Sequence, residues 1–225
     1  MNDVNLKDPT TFKEQLVYMF SDPKWVSKIL IGALLGIVPI LDFVLGGYAL
    51  RVINNVRKDE QPTLPEWSPG FGKFWSDGLL VVVIGFLYGI PAWILSAIIG
   101  GVAGASNSQG AVTAVSVILG LILFVYYIAL IFWIQGALIN FAVKGNFGAA
   151  FQFGEIWRIV QANLGRLALT VILAVVVAII VAILSAILVF IPCIGWIAIW
   201  ILSFASGFYV LLVLAHNCGI VAKSM

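Results

Sequence analysis

From Gly78 to Val143, and again from Leu167 to Ala222, the chain carries no charged side chain. Each stretch far exceeds the ~20 apolar residues that cross ~30 Å of hydrocarbon, so each must hold two crossings joined by an uncharged turn. The composition agrees: 62% hydrophobic and 10% charged, against the roughly half-apolar, quarter-charged balance of soluble domains. A water-soluble fold is excluded. The expected class is all-α, a single membrane domain over 1–225 built as an integral membrane helical bundle. Its full transmembrane helices are expected at 78–102, 111–143, 167–191 and 196–222, turning at Gly104–Gly110 and at Pro192–Gly195.

The first apolar run, 28–56, is different. Pro39 and Asp42 interrupt its middle, and it ends in Arg51, Asn54, Asn55 and Arg57. Upstream, Thr11 and Glu14 have capping-box spacing, and Phe12, Leu16, Met19 and Phe20 share a face, which predicts an amphipathic surface helix over 10–21. Asn2, Asp3, Lys7 and Asp8 interrupt any early apolar region. No signal peptide is read there, and the run from Ile29 is expected to be retained as an uncleaved signal. A second amphipathic surface helix is expected at 148–163, with Phe147, Phe151, Ile156, Trp157 and Val160 towards lipid and Glu155 and Arg158 paired outward.

Lys and Arg set the orientation. Lys7, Lys13, Lys24 and Lys28 precede the first run; Arg51, Arg57, Lys58 and Lys73 follow it. Lys144, Arg158 and Arg166 separate the middle spans, and Lys223 lies near the C-terminus. By the positive-inside rule all four basic segments are cytoplasmic and both uncharged turns are outside. One crossing by 28–56 would put the N-terminal lysines outside. A re-entrant hairpin, descending over Ile29–Val38 and returning over Phe43–Ile53, keeps both termini cytoplasmic; the rival is one kinked crossing, with Asp3, Asp8, Glu14 and Asp22 offsetting the lysines.

Glycines and alanines mark expected helix contacts: Gly85 and Gly89 at small-xxx-small spacing, and the row Ala174, Ala178, Ala182, Ala186, facing another helix of the chain or a second copy. Pro91 is expected to kink its span. Trp25, Trp67, Trp75 and Trp157 read as interfacial anchors, and the Pro-rich loop Asp59–Asp77 as a segment pressed into the headgroup layer or a docking loop. A weak internal repeat pairs the Val38–Pro39 break with Ile191–Pro192; transporter folds carry such repeats, and so does simple duplication of a helical hairpin.

Few residues suit chemistry. Asp42 is the one acidic residue deep in an apolar run, where a carboxylate is costly; it is expected to N-cap a half-helix starting at Phe43, the other reading being ion or proton handling. His216 and Asn217 are expected to be solvated or bonded between helices where the last span leaves the membrane, and Gln135 and Asn140 to bond helix to helix. Glu66 and Glu155 lack an acid-base partner at useful spacing. Cys193 and Cys218 lie about 37 Å apart along one helix at ~1.5 Å per residue, too far to pair. No metal motif, cofactor fingerprint or nucleophile elbow appears, so no metal or cofactor is expected. The net charge of +2 is too small for a nucleic-acid surface.

The string Ile37–Asn55 (IVPILDFVLGGYALRVINN), Leu64-Pro65-Glu66-Trp67, Phe151-Gln152-Phe153-Gly154-Glu155-Ile156 and Leu214-Ala215-His216 together resemble domain of unknown function family 4013, prokaryotic polytopic membrane proteins. The resemblance implies the architecture and a prokaryotic cell membrane, and brings no activity, ligand or catalytic residue. Two function classes follow from the residues: a non-catalytic scaffold, assembly or partner-binding component, with the lipid bilayer, other membrane proteins or a second copy as partners; or a transporter or channel for a small solute. Membrane-depth polar groups are few, which favours the first. An enzyme is the least supported class.

Overall fold

The computed structural model describes residues 18–68, 70–105 and 108–225. The chain is all-helical there: α1 Trp25–Ile37, α2 Phe43–Lys58, α3 Phe71–Ala105, α4 Gln109–Lys144, α5 Phe153–Leu188 and α6 Ile194–Lys223, with 3-10 turns at Tyr18–Ser21 and Phe147–Phe151. The expected surface helix over 10–21 lies outside the described residues except for 18–21.

Helices α3 to α6 are each long and apolar enough to cross a membrane. Helices α3, α4 and α6 contain the expected spans, whereas α5 stops at Leu188, short of the expected end at Ile191; α3 and α5 extend well past their spans at the charged end. Pro91 sits inside α3, which runs through it as one element. Ser108 caps α4 by accepting from the Ala111 amide, and Gly145, with φ of 67°, ends it by donating to the Phe141 carbonyl, the left-handed stop that glycine permits.

The break at Pro39 folds the first run back on itself. Gly36 meets Phe204 and Gly32 meets Phe208, so α1 runs antiparallel to α6. Along α2 the order reverses: Tyr48 packs on Phe208, Val56 on Gly219, and Asp59 pairs with Lys223 at 2.6 Å, so α2 runs parallel to α6. Both arms therefore have their free ends beside the C-terminal end of α6. Trp75 Nε1 donates to the Ile40 carbonyl at the hairpin turn, which ties this expected interfacial anchor to the chain.

Packing concentrates at the charged end, where α2, the first turns of α3, the last turns of α4 and the C-terminal half of α6 enclose one core. The other halves stay bare. In α4 no residue of the most apolar 18-residue window is buried, and in α5 only 6% are.

Close backbone approach occurs at glycines other than those expected. Nothing lies near a Cβ built on Gly85, and only the helix's own Trp93 lies near Gly89; the packed face of α3 runs through Ile84, Tyr88 and Ala92. Instead a Cβ at Gly47 would collide with the Phe74 carbonyl, and one at Gly78 with the Phe43 carbonyl. These glycines let α2 and α3 touch backbone to backbone. Of the alanine row, Ala174 is half-buried against α6, while Ala178, Ala182 and Ala186 are exposed in the single chain. The packed face of α5 instead runs through Thr170, Leu173 and Val177, one position, or about 100°, around the helix from that row.

The segment expected as a separate surface helix at 148–163 is a 3-10 turn followed by the first turns of α5, which is kinked at Asn163 (φ −125°). Ile156 and Val160 face protein, seated on Gly136 of α4, and Glu155 pairs with Lys144 rather than Arg158. Trp157 alone of that apolar set is largely exposed. Trp67 is also corrected: it stacks on Tyr48 at 4.2 Å and contacts Phe74 and Phe208. The Tyr48 hydroxyl donates to the Pro65 carbonyl at 2.9 Å, drawing the loop onto α2 and burying Leu64 and Pro65. Trp25, by contrast, is half-buried, edge-on to the exposed Phe20.

Candidate functional site

The best-built polar site joins the hairpin to the loop after it. Lys28, one turn into α1, is 2% exposed. An ammonium has three N–H donors; Lys28 donates to Asp22 Oδ2 at 2.7 Å and the Leu64 carbonyl at 2.8 Å, and forms an ion pair with Glu66 Oε1 at 3.3 Å. Lys24 adds a backbone N–H to Asp22 Oδ1 and an exposed pairing to Glu66. Burial pushes the Asp22 carboxyl up, but the Lys28 hydrogen bond, the Lys24 amide and both ammonium charges outweigh it and hold it below the ordinary carboxylate range. The Lys28 hydrogen bond likewise lowers Glu66. A buried cation costs several kcal/mol unless paired and hydrogen-bonded; this one is both. Its residues stand at the sequence boundary between loop and apolar run, where the pattern cannot tell a snorkelling lysine from an enclosed one.

The other polar residues singled out by sequence are found separately. Asp42 immediately precedes α2, as expected, but its side chain makes no capping bond and is exposed. The amides of Val44 and Leu45 are already taken by the carbonyls of Leu41 and Asp42, so the helix start has no use for the carboxylate. Gln135 is 1% exposed and donates to Ile131 of its own helix, leaving Oε1 without a protein partner. Asn140 reaches across to the 3-10 turn, donating to the Ala149 carbonyl at 2.8 Å and Gln152 Oε1 at 3.3 Å. His216 stacks on Tyr18 at 4.0 Å, and the Tyr18 hydroxyl donates to the Leu212 carbonyl. Asn217 is fully buried, with neither amide atom bonded to protein. Arg166, which residue patterning offers no reason to place inside, is 7% exposed with Nη1 unpartnered.

Between α3, α4 and the start of α5 lies a cavity of about 400 Å³ lined by Tyr88, Pro91, Tyr126, Trp133 and Phe151. Its polar groups serve one another: Tyr88 donates to the Ala150 carbonyl at 2.6 Å, Trp133 Nε1 to the Tyr88 hydroxyl at 3.1 Å, and Tyr126 to the Tyr88 carbonyl. That leaves an aromatic, apolar wall. Among the described residues no three His, Cys, Asp or Glu side chains come together as a metal site would require.

Fold and site together define an all-helical chain with four membrane-length apolar helices and a helical hairpin locked at the charged end. The model of the family described as a protein of unknown function (DUF4013) matches residues 30–191, and the chain belongs to that family. No curated protein and no solved structure matches it.

Proposed function

We propose that the chain is a non-catalytic component of a prokaryotic cell membrane, a scaffold, assembly or partner-binding subunit, rather than a solute carrier or an enzyme. The observation that carries this is the division of the bundle. The chain packs its charged end against itself and leaves the apolar halves of α4 and α5 to whatever surrounds them. In the two neighbouring long helices, Ser96 of α3 and Ser203 of α6 turn their hydroxyls onto their own backbone, at the Ala92 and Ile199 carbonyls. A solute path needs polar groups facing a common lumen, and these face backbone.

In this reading the charged end is cytoplasmic by the positive-inside rule. Helices α1 and α2 form a re-entrant hairpin; its turn is tied to α3 by the Trp75 bond to the Ile40 carbonyl, while Ile37 to Ile40 and Asp42 are exposed in the single chain, so the cover that irregular backbone needs at membrane depth is left to a partner. Both termini are then cytoplasmic. The broken first run and exposed Asp42 favour a second reading, a channel or carrier. Gentle detergent extraction from native membranes, mass spectrometry of what co-purifies, and solute flux in liposomes separate the two. A stoichiometric membrane partner with no flux supports the scaffold; a lone protein that conducts overturns it.

A further inference from the structure

A second cavity, about 390 Å³, opens at the charged end between the C-terminal half of α2, the first turns of α3 and the last turn of α4. Five cations line it: Arg51, Arg57, Lys58, Lys73 and Lys144, with Asp77 as its one carboxylate. They come from three helices far apart in sequence, so neither a local charge run nor one helix end explains them.

Basic residues in a final helical turn ordinarily compensate the partial negative charge of free carbonyls. Here backbone amides already serve three of those carbonyls, and the Val143 carbonyl takes Arg57. At the end of α2 the Asn55 and Val56 carbonyls accept from the amides of Asp59 and Glu60, and at the end of α4 the Gly145 amide takes Phe141. Nor do carboxylates neutralise the group. Arg51 and Lys58 share Glu60 at 3.4 and 3.8 Å, Lys73 meets Asp77 at 3.6 Å, and Lys144 meets Glu155. Three carboxylates thus face five cations. Arg57 has none: it donates to the Val143 carbonyl at 3.3 Å and Asn54 Oδ1 at 3.1 Å, and its buried Nε has no protein partner. The cavity holds an uncompensated positive charge, including a guanidinium fixed by two bonds and able to serve an anion's oxygens through its fork.

The remaining lining sets the kind of anion. Phe74, Leu80 and Phe147 form an apolar wall on one side, and Leu80 is 37% exposed on the flank of α3. Asp77 is the last charged residue before the uncharged run and Lys144 the first after it, which puts the cations at the depth where a membrane changes from hydrocarbon to headgroup. A ligand filling this space has a negative head among the cations and an apolar body along Phe74 and Leu80. We propose that the cavity binds the phosphate-bearing headgroup of an anionic phospholipid, its acyl chain leaving past Leu80. Basic pockets between membrane helices on the cytoplasmic side are the chemistry by which such headgroups are held.

The test is the thermal stability of the purified full chain in a neutral detergent, titrated with phosphatidylglycerol, phosphatidylcholine or inorganic phosphate. Wild type should rise with phosphatidylglycerol and remain unmoved by the other two. Removing exposed cavity cations by Arg51→Gln with Lys73→Gln should leave the lipid-free midpoint unchanged and weaken the phosphatidylglycerol titration about fivefold per cation, about 25-fold for the pair. Lys24→Gln, an exposed cation at the same end outside the cavity, should not weaken it. An equal loss with Lys24→Gln would mean diffuse surface attraction and overturn the site. An equal rise with inorganic phosphate would overturn the lipid as source, and an equal rise with phosphatidylcholine would overturn the role of charge. Arg57→Lys, which keeps the charge and loses the fork, should give a weakened but measurable response; an unaltered one would remove Arg57 from the site.

Discussion

Replacing Lys28 by Met removes a buried hub while keeping its packing volume. Two hydrogen bonds, at 2.7 and 2.8 Å, and an ion pair at 3.3 Å disappear. What matters most is what stays behind. Asp22, its side chain 7% exposed, would keep only the Lys24 amide, and the Leu64 carbonyl would be buried without its donor. Glu66 is half in solvent and adds little. Stranding one partner of a buried pair costs about 3–5 kcal/mol, which for a chain of this size is a fall of roughly 6–20 °C in the midpoint. Thermal unfolding in detergent, followed by tryptophan fluorescence, measures it. The double variant Asp22→Asn with Lys28→Met leaves no stranded charge and should be more stable than Lys28→Met alone. The acid limit has a defined sign. The Asp22 carboxyl is lowered from 3.8 in the fold, so its contribution is complete above that value and is lost as pH falls through the lower folded value. Wild type should therefore keep its advantage over Lys28→Met at pH 5 and lose part of it well below pH 4. A midpoint change under about 3 °C, or a double variant less stable than the single, would refute the staple.

Gly78→Val should destabilise the fold by about 3 kcal/mol or prevent assembly, because its side chain meets the Phe43 carbonyl and overpacked cores lose 1–3 kcal/mol or more; Gly85→Val, with open space beside it, should change the midpoint little. Asp42→Leu and Asp42→Asn should both lie within about 0.5 kcal/mol of wild type by thermal unfolding, since the carboxylate caps nothing and is exposed; a loss of about 1 kcal/mol confined to Leu would restore the capping account. Ala178→Leu and Ala182→Leu, both exposed in one chain, should leave the monomer's stability unchanged. A change of oligomeric state on size-exclusion chromatography with multi-angle light scattering would identify that row as a contact between copies.

The four long helices were legible because length and apolarity alone mark a segment able to cross, and the fold-back of the first run because Pro39 and Asp42 break it in the middle. Which face of a helix is covered was not legible. In a membrane span lipid-facing and protein-facing positions are equally apolar, so the spacing of Gly85 and Gly89 carried no more weight than that of Gly47 and Gly78. Trp67 read as an interfacial anchor because aromatic residues in a polar loop suit headgroups and cores alike; the Tyr48 bond to Pro65 decided between them. Asp42 had the position of a cap, and the turn's own carbonyls had already taken the amides. Lys28 and Arg166 were counted only as topological charges, although each is enclosed. Of the candidates at the charged end, Asn140 and His216 do join separate elements, Asn140 to the 3-10 turn and His216 to Tyr18.

A re-entrant hairpin must enter and leave from one side of the membrane, and that is directly measurable. Single cysteines at Ser21 and Glu60, both exposed and flanking the hairpin, can be placed in a chain with Cys193 and Cys218 replaced. A chain keeping only the exposed Cys193 reports the opposite turn. With an impermeant maleimide, intact cells should label the Cys193 chain and neither Ser21→Cys nor Glu60→Cys, and permeabilised cells should label all three. Labelling of Ser21→Cys in intact cells, with Glu60→Cys protected, would mean that α1 and α2 cross the membrane and would contradict the account.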